Sequence, residues 1–189
     1  MTTDELTLIK KLQNPTTKDA AFKQLLSLYK ERLYWHIRKI VISHANADDV
    51  LQNTFIKIFK NIGAFKKESK LYSWMYRIAT NESISFINKR AKEKNVAISE
   101  YQQQLVSSLD SDHWFTPDQI AIVLQKAIAT LPQKQQLVFN MKYFDEMKYA
   151  QISDILGTSI GALKASYHIA VKKIEKFIKK QSLNLLTIR

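Results

Sequence analysis

The stretch Tyr149-Ala150-Gln151-Ile152-Ser153-Asp154-Ile155-Leu156-Gly157-Thr158-Ser159-Ile160-Gly161-Ala162-Leu163-Lys164 reads as a helix, a tight turn and a second helix. Ile152, Ile155 and Leu156 form a short apolar stripe at helical spacing, and Gly157 can end that helix in the left-handed conformation. Ser159 suits the N-cap of the second helix, where Ile160, Leu163, Tyr167, Ala170, Ile174 and Ile178 recur on one face. The opposite face carries Lys164, Ala165, His168 and Lys172, small or basic side chains that suit a DNA major groove. Spacing alone leaves one alternative open, two ordinary core helices joined by a glycine turn.

The chain around this stretch has 189 residues, enough for one domain or two small ones. Three Gly and three Pro, with long periodic segments between them, predict a mostly helical protein. A formal charge of +12 favours an anionic partner. Nucleic acid fits better than membrane, because no apolar run approaches the length needed to span a bilayer. The N-terminal Met1-Thr2-Thr3-Asp4-Glu5 lacks the basic start and apolar core of a signal peptide, so a cytoplasmic protein is expected. With no cysteine, disulfides and thiolate metal sites are excluded.

Outward from the helical pair, the predicted architecture is all-α, with two small helical domains joined by a flexible linker. Residues 1–95 form the first domain, 96–115 the linker and 116–189 the helix-turn-helix domain. In the first, Phe22, Leu25, Leu26, Leu28, Tyr29, Leu33, Ile37, Ile40 and Val41 repeat by threes and fours, as in a helix burying one face. Asn46 stands three before Asp49, which suggests a variant capping box. Leu51, Phe55, Ile58 and Ile62 then turn inward and Gln52, Asn53, Lys57 and Lys60 outward, until Gly63 ends the helix. A polar loop follows over 65–70, then a helix over about 71–90 with Trp74, Met75, Ile78 and Ala79 inward. Arg77, Asn81 and Ser85 share another face of it.

Over 95–115 the periodicity dissolves into Gln and Ser runs, the expected linker. Thr116-Pro117-Asp118-Gln119 restarts structure with a capping box. Leu131-Pro132 stops that helix and starts another, with Leu137, Val138 and Met141 inward.

Catalytic chemistry finds little support. Asp48 and Asp49 are adjacent, so on a helix they do not face one point, and capping accounts for them. Asp110, Asp112 and His113 lack a second ligand set, so no metal or other cofactor is expected. His36, His44 and His168 stand isolated, without the neighbours of a triad. Three glycines cannot build a phosphate loop, and no small-molecule substrate is expected. Better evidence lies in residues 65–77, where Phe65, Tyr72, Trp74 and Tyr76 alternate with Lys66, Lys67, Lys70 and Arg77. Rings stack on unpaired bases while cations follow phosphates. For Trp74 core packing is the competing role.

Together these features resemble the extracytoplasmic-function sigma factors of bacterial RNA polymerase. Ala47-Asp48-Asp49-Val50-Leu51-Gln52-Asn53-Thr54-Phe55-Ile56-Lys57 is similar to the region 2 helix that docks on the polymerase clamp. Tyr72-Ser73-Trp74-Met75-Tyr76-Arg77-Ile78-Ala79-Thr80-Asn81 is similar to the promoter-melting helix. Residues 131–166 follow region 4. The resemblance implies polymerase docking by Asp48, Asp49, Gln52, Phe55 and Lys57. It implies minus-ten contacts from Lys66, Lys67, Lys70, Tyr72, Trp74, Arg77 and Asn81, with the 65–73 loop and Asn81 holding a flipped base. Ser159, Lys164, Ala165, His168 and Lys172 would face the minus-thirty-five element. Core polymerase, promoter DNA and an anti-sigma factor are the implied partners, and no enzymatic step belongs to the chain itself.

Several positions depart from the family's pattern. Ser166 and Ile169 stand where Arg is often found, which removes side chains able to grip guanine or phosphate bidentately. Gln136 replaces a common Arg, Asn53 a common Glu and Ser85 a frequent Asp. The rival reading is a stand-alone helix-turn-helix regulator, which leaves the aromatic-basic loop and the Asp49/Gln52 surface without a role. A nuclease is a more distant rival.

Overall fold

The described residues, 3–107 and 119–187 of a computed structural model, hold nine α-helices and one 3-10 turn joined by short loops. The chain forms two compact units, one of Met1–Phe86 with Asp154–Leu156 and one of Ile87–Ser153 with Gly157–Arg189. Thr116-Pro117-Asp118 of the expected capping box, and Asp110, Asp112 and His113, lie outside the described residues.

The first unit contains α1 (Thr3–Gln13), α2 (Lys18–Val41), α3 (His44–Asn61) and most of α4 (Leu71–Glu93). Leu8, Ile9 and Leu12 of α1 meet a core built from Leu25, Leu33, Ile37, Ile58, Leu71 and Met75, all buried. Burying apolar side chains of this size contributes roughly 1.5–3 kcal/mol each, which is what holds polar-surfaced helices together. Leu28 departs from its expected place in the α2 stripe and is 54% exposed. A stripe of threes and fours is wider than the face one neighbouring helix can cover, and Leu28 falls at its edge.

Two helix ends differ from expectation. Ser43, not Asn46, caps α3, its hydroxyl accepting a long hydrogen bond from the Asn46 amide at 3.5 Å. Asp48 and Asp49 therefore stand beyond the first turn and do not cap the helix. At the other end α3 passes into a 3-10 turn, Ile62–Ala64, with Gly63 at its centre.

His36 is likewise not isolated. It is 1% exposed, and its Nε2 lies 2.9 Å from the Thr80 hydroxyl. Because Thr80 donates its own proton to the Tyr76 carbonyl at 2.7 Å, the imidazole is the donor of this pair. The bond ties α4 to α2 through the core, beside a His36–Tyr76 ring contact with centroids 4.7 Å apart.

The second unit packs α6 (Gln119–Ala129) and α7 (Gln133–Tyr143) against the long α9 (Ile160–Thr187), and also holds α8 (Tyr149–Leu156) as far as Ser153. Its core joins Ala127, Ile128, Leu131, Phe139, Ala170 and Ile174. Pro132 separates α6 from α7 as its sequence implies, since it supplies no amide hydrogen and starts a helix well.

The segment expected to be linker carries a helix, α5 (Ile98–Ser107), packed on α6. Its Tyr101, Gln102 and Val106 are buried on one side, within a run that glutamines make look polar. Gln102 and Gln136 exchange side-chain hydrogen bonds of 3.0 and 3.1 Å, and Gln136 also donates to the Leu131 carbonyl at 2.7 Å. The position that the family often fills with Arg thus holds a buried, satisfied amide.

Thr80→Val keeps the side-chain shape and removes the acceptor of the His36 proton. We expect it to destabilise the first unit by about 1–3 kcal/mol, the cost of a stranded buried donor, read by urea unfolding followed through near-ultraviolet dichroism.

Candidate nucleic-acid and polymerase interface

Three surfaces gather the residues singled out by the sequence. On the first, α2 and α3 enclose a groove of about 600 Å³. Phe22, Leu26 and Lys30 come from α2, and Asp48, Asp49, Gln52, Phe55, Ile56 and Phe59 from α3. The Phe22 ring sits edge-on to Phe55 and Phe59, at 6.1 and 4.9 Å, and forms an apolar floor. Phe55 is only 8% exposed and belongs to that floor, whereas Asp48, Asp49 and Gln52 are exposed on the rim. An apolar floor with acids and an amide at its edge suits a protein partner rather than DNA phosphates.

Lys57 stands apart from this group. Its ammonium lies 2.6 Å from the Glu82 carboxylate of α4 and does not line the groove. At the groove's rim, His44 is not isolated either. The Tyr34 hydroxyl is 2.5 Å from its Nδ1, and Asp48 is 3.5 Å from its Nε2. A side chain from α2 and one from a turn further along α3 meet it there, and only the second follows from helical spacing.

The second surface is the loop over 65–70 with the exposed face of α4. This loop is too polar to order itself, and α1 holds both its ends. The Gln13 amide donates to the Phe65 carbonyl at 2.9 Å and to the Ile62 carbonyl at 3.3 Å. Glu5 accepts from the Leu71 amide, the first of α4, at 3.1 Å. A carboxylate at that position satisfies an otherwise orphaned N–H and opposes the positive end of the helix dipole. Burial raises the Tyr29 hydroxyl above its ordinary pKa, and the Glu5 charge acts in the same direction.

Lys66 and Lys70 are exposed on this loop, and Lys67 takes a left-handed φ of 62°. Phe65 is buried, its ring centroid 5.1 Å from that of half-buried Trp74, so it anchors the loop rather than offering a free stacking face. Trp74, Arg77 and Asn81 follow one another along one side of α4, with Arg77 and Asn81 exposed. Tyr72 is not on that side. Its ring lies tilted against that of Tyr76 with centroids 4.2 Å apart, and the Tyr76 hydroxyl reaches the Arg32 carbonyl of α2.

The third surface is the helix-turn-helix. Gly157 adopts φ 63° and ψ 30°, and its amide donates to the Ser153 carbonyl at 2.8 Å. No atom lies within 4 Å of where a Cβ would be, so backbone conformation and not space calls for glycine there. The Ser159 hydroxyl accepts from the Ala162 amide at 3.4 Å and caps α9. Lys164, Ala165, His168 and Lys172 are all exposed, opposite buried Leu163, Ala170 and Ile174. Lys164 hovers 6.0 Å from the Tyr149 ring, at the outer reach of a cation–π contact. Ile160 departs from its expected burial at 43% exposed, although Leu163 in the same turn is fully buried. Ile169, also exposed, faces outward with the basic residues.

Among the described residues no group of His, Asp and Glu could hold a metal ion, and no helix is long and apolar enough to cross a membrane.

Comparison with known proteins covers both units. Residues 25–93 match the family Sigma-70 region 2, and residues 121–174 match Sigma-70, region 4. The ECF RNA polymerase sigma factor SigW of Bacillus subtilis is 28% identical over 164 residues, which cover 82% of this chain and 88% of that protein. The RNA polymerase sigma-H factor of Pseudomonas aeruginosa is 23% identical over 164 residues, 82% and 85% of the two chains. Among solved structures, the sigma factor RpoE of Bartonella quintana, in complex with the anti-sigma factor NepR, is similar with a TM-score of 0.63. It is 23% identical, and the match covers 84% of this chain and 96% of that one. CnrH in complex with the cytosolic domain of CnrY is similar with a TM-score of 0.68 at 17% identity, over 93% and 97% of the chains. These last two likenesses bear on the fold.

Glu5→Ala leaves the Leu71 amide without its carboxylate. Amide hydrogen exchange across 65–72 should quicken by about fivefold, the equivalent of a lost cap near 1 kcal/mol, with α2 and α3 unchanged.

Proposed function

The chain belongs to the extracytoplasmic-function group of the sigma-70 family, and from that premise we propose how its three surfaces divide the work of starting transcription. As a sigma factor it is a regulatory subunit of RNA polymerase that directs promoter recognition, and the nucleotide chemistry belongs to the polymerase. The groove between α2 and α3 docks on the core enzyme, with Phe55 as part of its floor and Asp48, Asp49 and Gln52 as its polar rim. Lys57 contributes only through the Glu82 pair beside it.

The loop over 65–70 and the Trp74–Arg77–Asn81 side of α4 take the minus-ten element. A base that leaves the stack exposes its Watson–Crick edge, which an Asn amide and loop backbone groups can read. Lys66, Lys67, Lys70 and Arg77 supply cations along the separated strand. Tyr72 supports this surface from behind through its tilted ring contact with Tyr76. In the second unit, Ser159 starts the recognition helix, and Lys164, Ala165, His168 and Lys172 meet the minus-thirty-five duplex. The observation that carries this reading is the pairing of the docking groove with a separately built, exposed melting face in one small unit. A stand-alone operator-binding protein needs neither.

Extracytoplasmic-function sigma factors are regulated by anti-sigma factors; one similar structure was solved with the anti-sigma factor NepR, and another with the cytosolic domain of CnrY. We infer that an anti-sigma factor holds this chain too, covering the apolar groove that the polymerase needs.

Immobilised core polymerase should retain the chain at low salt, and absence of retention would overturn the docking assignment. Asn81→Ala should keep that retention and lower open-complex formation at least tenfold, followed by a fluorescent base within the minus-ten element. Unchanged opening would remove Asn81 from the melting face.

A further inference from the structure

The last turns of α9 carry charge that the recognition reading does not use. The helix has 28 residues and is therefore about 42 Å long at 1.5 Å per residue. A major groove is only about 12 Å wide, so a helix entering it by its first turns must pass out over the phosphates. Lys176, Lys179 and Lys180 are exposed there, beyond the end of the family match at residue 174. With Lys172 they step by threes and fours along the same face as Ala165 and His168. Ala170 and Ile174 fill the opposite, buried face.

The charge on this face is predominantly basic, with Glu175 set among Lys172, Lys176, Lys179 and Lys180. Glu175 is the only acidic residue from 160 to 189. Among the described residues, Lys172, Lys176, Lys179 and Lys180 lie in no ion pair. Lys173 differs, since its ammonium binds the Gln135 side chain of α7 at 3.1 Å and is committed within the unit. Lysines near a helix C-terminus also suit its dipole, but that effect falls off within the last turn, and these residues stand well before it.

We propose that Lys176, Lys179 and Lys180 form a phosphate clamp that grips duplex DNA just outside the minus-thirty-five element. This rests on the placement of the first turns of α9 in the major groove. The clamp reads no bases. It adds affinity that is the same for every sequence and steep in salt, because each lysine that neutralises a phosphate releases condensed counterions. An acidic protein surface is the other class of partner that such a stripe could meet, but a DNA-bound α9 would carry these lysines to a duplex.

The test uses holoenzyme assembled with the full chain, bound to promoter duplexes across a salt series. The triple variant Lys176→Gln, Lys179→Gln, Lys180→Gln removes three charges and keeps good helix-forming residues. We expect the slope of log affinity against log salt to flatten by about 2.7. Between about 50 and 200 mM salt the advantage of wild type should shrink roughly 40-fold. The loss should be equal on matched and mismatched minus-thirty-five sequences. It should vanish on duplexes trimmed to the edge of the element on the side where α9 emerges, which trimming each side in turn identifies.

An unchanged slope overturns the clamp, as does a loss that depends on base sequence. A variant that loses core polymerase binding without DNA shows instead that the stripe meets protein, and this also overturns it. Lys164→Ala is the control for the underlying reading. If it reduces discrimination at the minus-thirty-five element while the triple variant changes nothing, the clamp alone fails. If neither variant has an effect, the placement of α9 fails with it.

Discussion

Both ends of the loop between α3 and α4 are held by one short helix, through the Gln13 amide at Phe65 and the Glu5 carboxylate at Leu71. The loop's composition cannot order it, because Lys66, Lys67, Glu68, Ser69 and Lys70 bury almost nothing to offset the entropy of a fixed backbone. Hydrogen bonds from outside the loop must do so. They act on backbone groups at its two ends, so the side chains between them stay free to meet a partner. The direction in which α4 presents Arg77 and Asn81 depends on the same contacts, since Glu5 caps the first turn of that helix.

The second unit solves a similar problem by a different route. Its turn between α8 and α9 is set by local chemistry, the left-handed Gly157 and the Ser159 hydroxyl, and needs no partner helix. Farther away, the Gln102–Gln136 pair joins α5 to the start of α7 inside the core. A buried amide pair costs free energy if half satisfied and specifies one arrangement when complete. Gln136 is bonded to both Gln102 and the Leu131 carbonyl, so the α6–α7 corner is defined by a polar contact as well as by Leu131 and Phe139 packing.

What could be read from the sequence follows from how local each feature is. The helix-turn-helix was legible because its signals, a glycine for φ and a hydroxyl for the cap, act within four residues. The outward face of α3 and the Arg77–Asn81 side of α4 were legible from periodicity. The cap of α3 was misplaced because Asn46 and Ser43 are both good caps, and only the end of α2 at Val41 decides between them. Helix α5 has the right spacing in Ile98, Tyr101, Leu105 and Val106, but glutamines and serines hid it. The contacts of His36, His44 and Phe65 join residues of different helices or loops, 44, 10 and 9 positions apart in sequence. Nothing in a one-dimensional pattern brings such partners together. The same limit explains Lys57, whose spacing put it beside Gln52 while Glu82 drew it to α4.

A recognition helix with Ser166 and Ile169 in place of Arg has fewer groups that read guanine or hold phosphate inside the groove. Ile169 is 44% exposed on that helix, so an apolar side chain faces outward where charge would serve binding. Such a side chain can still contact a thymine methyl, which shifts the basis of discrimination from hydrogen bonds to shape and apolar contact. Affinity lost within the groove must then come from outside it, and the basic residues of α9 are denser after Lys172 than before it. Under the proposed placement of α9, sequence reading and grip are separated along a single helix. The same proposal would account for a helix whose lysines gather after residue 172 while Ser166 and Ile169 occupy the turns assigned to the groove.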